Sequence, residues 1–488
     1  MRNRSFIKMR HLSLNLRTSL SIRGFILAFI LLCSISLILI PAQFLPENLA
    51  FAGALVLLTV GMLATGLVSE QLAILIFFFL AVVLSISPPE VVFSGFNSSA
   101  FWLVFGGLVI GVAVDKTGLG GRVAKSIIHC IKGNYSSVIA AVIVLNILLI
   151  FLMPSTLSRV VLLIPITLAL SDSLGYSEGS SPRNGIVMAT VLTAYLGSTS
   201  VLPANVPNNV LMGAAEAFQG IQFHYFNYLV LHFPVLGFLK SFVIWLCVVW
   251  LFKPKGKNVE MSTKLEPRGS STKTAFTADE RKLSFFLILA LFLWSTDKIH
   301  GVAPAWISLG VGILCLLPLL GVVSPGTFKE KVPINPLLYV AGIIGVGAVV
   351  ADTGLGTFIS EYIVHASNLS PGDPVRGFFV LSGIAMLLGF FATMPGVPAI
   401  LVPIAADLSS ASGLELRTVL MTQVVGFSTV WLPYQVPPII VGMQLAGVPM
   451  SAGIKITALI GLISLVILNP LVALWWQILG YLPNGVLW

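Results

Sequence analysis

Charge is scarce in this chain: of 488 residues only 9% are charged, 27 basic and 18 acidic, against roughly 25% in a soluble domain. So few charges cannot clothe the surface of a chain that is 57% hydrophobic. That excludes a soluble enzyme, a nucleic-acid binder and a secreted disulfide scaffold. Cysteine is scarce too. Cys33, Cys130, Cys247 and Cys315 lie far apart, mostly inside apolar segments, with neither metal spacing nor a disulfide framework, and read as small buried hydrophobes. The histidines are scattered, and no nucleophile stands beside a base, so the chain does not read as an enzyme.

What the chain has instead is apolar stretches of about 20 residues, the length that crosses a bilayer core, running nearly from end to end. They define an all-α polytopic membrane protein. Eleven crossings are predicted, at 23–41, 49–68, 71–87, 101–117, 186–216, 226–252, 283–298, 303–320, 336–352, 417–446 and 452–481. The first is read as an uncleaved helix, since 24–41 is long for a signal peptide and Pro41-Ala42-Gln43 is a poor cleavage site. Two further segments, 136–171 and 376–409, are too long for one helix and break halfway at Gly, Pro, Ser or Thr. Each is expected to be a re-entrant helical hairpin, since polar backbone at membrane depth must lie in protein or line a watery cavity.

Residues 1–23 carry Arg2, Arg4, Lys8, Arg10, Arg17 and Arg23 without one acid, and the polar linker 253–282 carries eight basic residues against four acids. The positive-inside rule places both in the cytoplasm. Two membrane halves follow, 24–252 and 283–488, with the C-terminus outside in a plasma or inner membrane. The positive net charge thereby reports orientation in the bilayer. Trp475, Trp476 and Trp488 are expected to anchor at the membrane interface.

The halves repeat each other. Trp102–Gly120 reads WLVFGGLVIGVAVDKTGLG and Leu338–Gly356 reads LYVAGIIGVGAVVADTGLG, at an offset of 236 residues. VLLIPI ending at Ile166 matches ILVPI ending at Ile404, and Leu202-Pro203-Ala204-Asn205-Val206-Pro207 matches Leu432-Pro433-Tyr434-Gln435-Val436-Pro437 at an offset of 230. By the crossing count the matched helices run in opposite directions. An inverted repeat with broken helices at corresponding places is the sequence signature of a secondary transporter working by alternating access.

Proline removes a backbone donor and clashes with the preceding turn, so 186–216 and 417–446 are expected to be broken helices. Their freed carbonyls and hydroxyls can replace the water around Na+, and half-helix N-termini can face an anion. The candidate sodium ligands are Ser155, Thr156, Gly197, Ser198, Thr199, Asn205, Ser428 and Thr429. The candidate substrate contacts are Thr156, Arg159, Asn208, Thr393, Pro433 and Gln435. Arg159 lies one turn beyond Ser155 and needs a partner at membrane depth: either the anion, whose carboxylate or sulfate suits a guanidinium fork, or loop carbonyls or an acid such as Asp172. No carboxylate stands in the breaks, which points to Na+ ahead of H+ as the coupling ion; a proton-coupled exporter or antiporter on the same fold is the alternative. No other cofactor is expected.

These residues resemble the divalent anion/sodium symporters of the ion transporter superfamily. Members have eleven crossings, two opposed re-entrant hairpins with Ser-Asn-Thr tips, and two broken helices carrying Gly-Thr-Pro-Pro-Asn and Leu-Pro-x-x-Thr-Pro-Pro-Asn. Here the tips read Ser155-Thr156-Leu157 and Thr393-Met394-Pro395, and Val206 and Val436 replace the threonines of the breaks. The resemblance covers roughly 100–216 and 337–446. It implies that Ser155, Thr156, Asn208 and Thr393, with the backbone of Gly197 and Pro433, hold sodium and substrate carboxylates, and it implies a homodimer.

Overall fold

The computed structural model describes residues 24–41, 43, 45–129, 134–254 and 275–483. The basic N-terminal stretch 1–23, most of the linker 253–282, Cys130 and Trp488 lie outside the described residues. Among the described residues the chain is helical and forms no strand. It is a multi-pass membrane protein: eight helices are apolar and long enough to cross a bilayer, by length and composition.

In chain order the principal helices are α1 (Gly24–Ile38), α2 (Glu47–Thr65), α3 (Glu70–Val83), α4 (Ser99–Thr117), α5 (Leu119–His129), α6 (Tyr135–Leu152), α7 (Thr156–Ser173), α8 (Ser181–Leu196), α9 (Val206–Gln219) and α10 (Tyr225–Leu251). After the linker come α11 (Ala278–Ser295), α12 (Pro304–Leu316), α13 (Asn335–Asp352), α14 (Leu355–Ser367), α15 (Pro374–Phe391), α16 (Gly396–Leu401), α17 (Ala405–Ser412), α18 (Leu416–Phe427), α19 (Pro437–Leu445) and α20 (Met450–Ile478). The shorter apolar helices include α1, α3, α12 and α18.

Matched sequence takes matched form. Thr-Gly-Leu-Gly joins α4 to α5 through Gly118 (φ +74°) and α13 to α14 through Gly354 (φ +79°). Only glycine enters that left-handed region without strain, so the motif is a helix-to-helix joint in both halves. Each half next forms a helical hairpin: α6 and α7 meet at Met153–Ser155, and α15 and α16 at Ala392–Pro395. The return arms differ. α7 runs through Pro165, whereas the second arm stops at Leu401 and resumes at Ala405 as α17. Each half then has a helix interrupted at its prolines, and each long final helix carries one π turn, Phe233–Leu239 in α10 and Ser464–Leu468 in α20.

Glycines set the closest packing. A Cβ on Gly106 of α4 would overlap the Ser308 carbonyl of α12, and one on Gly312 would stand 3.1 Å from the Gly106 Cα. The Ser308 hydroxyl donates across the same contact to the Leu103 carbonyl at 3.1 Å. Trp476, expected at the membrane interface, is instead wholly buried. Its indole packs edge-on against Phe378, ring centroids 5.1 Å apart, and against His232 at 5.8 Å; burial of the large ring outweighed the usual interfacial preference.

At the start of α11 a capping box pairs Thr277 with Glu280. The Glu280 carboxylate also accepts a bidentate fork from Arg122 of α5, at 2.7 and 2.8 Å. The Arg122 bonds, then those from Thr277, hold the Glu280 carboxyl below its ordinary value. A depressed carboxyl stabilises the fold above the unfolded-state pKa and loses that contribution as pH falls through the folded one. The stability gap between wild type and Glu280→Gln is therefore expected in full above about pH 5, and to close as the pH drops below the ordinary Glu value of about 4.3. Thermal unfolding in detergent across that range checks it.

Candidate anion-binding cavity

Both hairpin tips and both helix breaks converge on one cavity of about 400 Å³. Its wall takes Ser155, Thr156 and Ser158 from the first tip, Thr393 and Met394 from the second, Asn205, Val206 and Asn209 from the first break, and Gln435 and Val436 from the second. Tyr195 of α8 and Tyr339 of α13 complete it, with Glu70 and Gln71 from the start of α3. No lysine, arginine or histidine lines it among the described residues.

The first break is built locally. α8 tightens into a 3-10 turn at Gly197–Ser200, Val201 is extended, a second 3-10 turn spans Leu202–Ala204, and α9 starts afresh at Val206. Asn205 caps α9, its side chain accepting from the Asn208 backbone N–H at 3.0 Å. α7 starts likewise, with Ser155 as N-cap accepting from the Ser158 N–H at 3.3 Å. The opening N–H groups of Thr156 and Leu157 in α7 and of Val206 in α9 have no acceptor within their own helices, and these residues line the wall; Pro207, next in α9, carries no N–H. Two helix dipoles thus present their positive ends to the cavity, which favours an anion. α19 adds less, because Pro437 and Pro438 at its start carry no N–H.

Behind the wall, buried polar groups hold the breaks open. Asn208 does not touch the cavity. Its Nδ2 lies within bonding distance of the carbonyls of Ser198 (3.3 Å), Thr199 (3.2 Å) and Val201 (2.9 Å), sharing them with the Val201 N–H, the Tyr228 hydroxyl and the Ala204 N–H. Arg159, fully buried, also stands behind the wall. Its guanidinium donates to the Met153 carbonyl at the tip, the Thr156 hydroxyl (3.1 Å), the Ala194 carbonyl (2.9 Å) and the Ala204 carbonyl (3.2 Å). Of the partners open to it in the sequence, loop carbonyls take the fork. Asp172 pairs with Arg183 instead. An arginine at such depth costs at least about 2.5–3.5 kcal/mol to insert, and these oxygens offset that cost. Thr156 adds a bond to the Ala204 carbonyl (3.2 Å) and lies 3.3 Å from the Ser198 hydroxyl. The first tip is thereby fastened to the first break.

The second tip is held without charge. The Thr393 hydroxyl pairs with the Tyr339 hydroxyl at 2.8 Å. Gln435 accepts from the N–H groups of Trp431 (2.8 Å) and Leu432 (2.9 Å) and donates to the Gly389 carbonyl of α15 (2.9 Å). Tyr339→Phe removes a buried bond of about 0.5–1.5 kcal/mol. It is expected to shift the KM for transport a few-fold while leaving Vmax within about twofold, as uptake titrations will read.

Of the residues singled out in the sequence, Ser155, Thr156, Asn205, Thr393 and Gln435 line the cavity. Arg159, Gly197, Ser198, Thr199, Asn208, Ser428, Thr429 and Pro433 do not: the polar side chains among them bond to backbone or to neighbouring side chains, and only the Arg159 Nε and the Asn208 Oδ1 among them are buried without a partner. The Gly197 carbonyl accepts from Ser200 at 2.7 Å, and the Ser198, Thr199 and Thr429 hydroxyls donate to carbonyls of the preceding turn. Sequence reasoning missed Tyr339, Asn209 and Glu70. Tyr339 stood inside the repeated helix and Asn209 beside Asn208, whereas Glu70 carried no local signal.

The sodium:sulfate symporter family, matched through its transmembrane region, aligns with residues 19–482. A sodium-dependent dicarboxylate transporter, SdcS of Staphylococcus saprophyticus, is 21% identical over 81% of this chain and 80% of its own. The L-tartrate/succinate antiporter of Escherichia coli is 24% identical over 78% of this chain and 79% of its own. Other relatives align over about two thirds of their length. The crystal structure of the YdaH transporter of Alcanivorax borkumensis superposes with a TM-score of 0.50 at 16% identity, covering 89% of this chain and 99% of that one; the likeness is one of fold. With a match over nearly its whole length, the chain belongs to the sodium:sulfate symporter family.

Proposed function

We propose that this protein is a secondary active transporter of small dicarboxylates working by alternating access. The observation that carries the reading is the cavity between the two tips and the two breaks. Its polar groups come from both halves of the repeat, and two helix N-termini open on it. Its volume of about 400 Å³ suits an anion larger than sulfate, and its leucine, valine and proline wall suits a short carbon chain between two carboxylates. The hairpins are then re-entrant, and the halves run in opposite senses across the membrane.

Two couplings follow from the residues. Sodium is the first, from the oxygen-rich breaks. Proton coupling or anion exchange is the second, and two features favour it: Glu70 brings a carboxylate to the wall, and the break oxygens already meet protein donors. Uptake of radiolabelled succinate and sulfate into proteoliposomes tests the function. Succinate is expected to accumulate, and protein-dependent uptake of neither anion, under any imposed gradient, would end the reading.

A further inference from the structure

Among the described residues Glu70 is the one charged side chain in the wall of the cavity, and it carries the sign of the anion the cavity is proposed to take. It is the first residue of α3, with Gln71 lining the wall beside it. No cation is paired with its carboxylate among the described residues. Tyr339 of α13 lies near enough for the carboxylate's charge to act on its hydroxyl. That hydroxyl pairs with Thr393 at 2.8 Å, so Glu70, Tyr339 and Thr393 form one polar patch that reaches the second tip.

The elements around Glu70 bring it no counter-ion. α3 packs on α2 and α13. The charged residue of α2, Glu47, lies at that helix's far end, as does Asp352 in α13. Glu90 is exposed and follows the opposite end of α3. The helix Pro325–Lys331 precedes the lining residues Pro333 and Asn335, but its Lys329, Glu330 and Lys331 are not on the wall; Lys331 lies against Asp115. Arg159 stands behind the first tip, on carbonyls. The other titratable groups of the wall are Tyr195 and Tyr339, phenols that ordinarily keep their protons below about pH 10. Glu70 is thus the group of this wall whose charge can change when an anion arrives.

We infer that Glu70 takes up a proton each time the cavity binds a dicarboxylate, and that this proton is the ion coupled to transport. The inference rests on the dicarboxylate reading and specifies its coupling ion. With the cavity empty and wet, the N-terminus of α3 favours the ionised carboxylate. A dianion entering the same cavity opposes that charge, and like charges at close range drive protonation. The proton comes from water on the side to which the cavity is open. The carboxyl O–H then donates to a carboxylate oxygen of the substrate, so a charge-assisted bond replaces a repulsion. When the anion leaves on the other side, the proton returns to water there, and the carboxylate is ionised again.

The experiment is calorimetric titration of succinate into the full chain in detergent, in pairs of buffers with unlike ionisation heats, which counts the protons taken up. Over about pH 7 to 8.5 both succinate carboxyls are already ionised, so uptake reports the protein. Wild type is expected to take up between about half a proton and one per succinate, and its affinity to weaken about three- to tenfold per pH unit, as linkage requires. Glu70→Gln imitates the protonated carboxyl. It is expected to take up none, to bind several-fold more tightly than wild type at the alkaline end, and to lose the extra succinate accumulation that outside acid drives in wild-type proteoliposomes. Glu70→Asp should keep the proton. Wild-type binding without proton uptake, or a Glu70→Gln protein that takes up as many protons as wild type, overturns the inference. If Glu70→Gln does not fold, the wild-type proton count decides alone, since the phenols of the wall do not titrate below about pH 9. If wild type binds no succinate at any of these pH values, the dicarboxylate reading falls and takes the inference with it, whereas binding that ignores pH ends the inference only.

Discussion

Asn208→Leu is expected to abolish transport, lowering uptake by about tenfold or more, since each 1.4 kcal/mol is a factor of ten in the population of the competent state. The side chain never touches the cavity, so the loss comes from the shape of the break. Its Nδ2 is the shared donor for the carbonyls of Ser198, Thr199 and Val201. Each carbonyl keeps another donor, the Val201 N–H, the Tyr228 hydroxyl and the Ala204 N–H respectively, so the loss is that of the amide's own bonds, about 0.5–1.5 kcal/mol for each, together with the buried shape they fix. Asn208→Asp separates this from a packing effect: the side chain keeps its size and loses its donor, so it should fail as badly as leucine. The measurement is succinate exchange per folded molecule, with folding followed by gel-filtration profile. Either variant retaining uptake within about twofold of wild type would refute the role.

The second large effect is on the fold. Gly106→Val is expected to destabilise the protein by about 3 kcal/mol or more, at the upper end of what overpacking does. The added carbon would overlap the backbone carbonyl of Ser308, and backbone cannot rotate aside as a side chain can. Gly310, on the same α12, has nothing within 4 Å of its missing Cβ. Gly310→Ala should therefore leave stability unchanged or raise it slightly. The midpoint of thermal unfolding and the monodisperse fraction after extraction compare the two, and equal behaviour would show that the α4–α12 approach is not the constraint described.

Much of this architecture could be read in one sequence because its signals are local. Proline in an apolar run interrupts a helix whatever surrounds it, and the breaks at 197–205 and 428–436 lie where Pro203, Pro207, Pro433 and Pro437 stand. Thr-Gly-Leu-Gly could be matched across 236 residues because its glycine does the same job twice. The partners of Arg159 could not be read, because backbone carbonyls have no sequence signature; composition shows only that the arginine needs oxygens. Asn208 was singled out as a substrate contact, yet its amide lies behind the wall, against the backbone of the break. Glu70 and Tyr339 reach the cavity through packing between distant helices, which leaves no mark on spacing. Trp476 shows the converse error, a preference true of tryptophan in general and overridden by a particular nest of rings.

The two tips differ in how they are fastened, and that difference bears on the timing of the cycle. The first is held by a guanidinium through Met153 and Thr156, the second by neutral hydroxyls and an amide. A charge-assisted bond is strong while dry and weakens steeply once water enters. Movement at the first tip removes the dryness that holds it, so its release is self-reinforcing and abrupt. The second loses bonds that water replaces nearly one for one, so it yields gradually. A fold assembled from two repeated halves thus fastens its two tips by unlike chemistry, charge-assisted in one and neutral in the other. Its two half-cycles have no reason to run at the same speed.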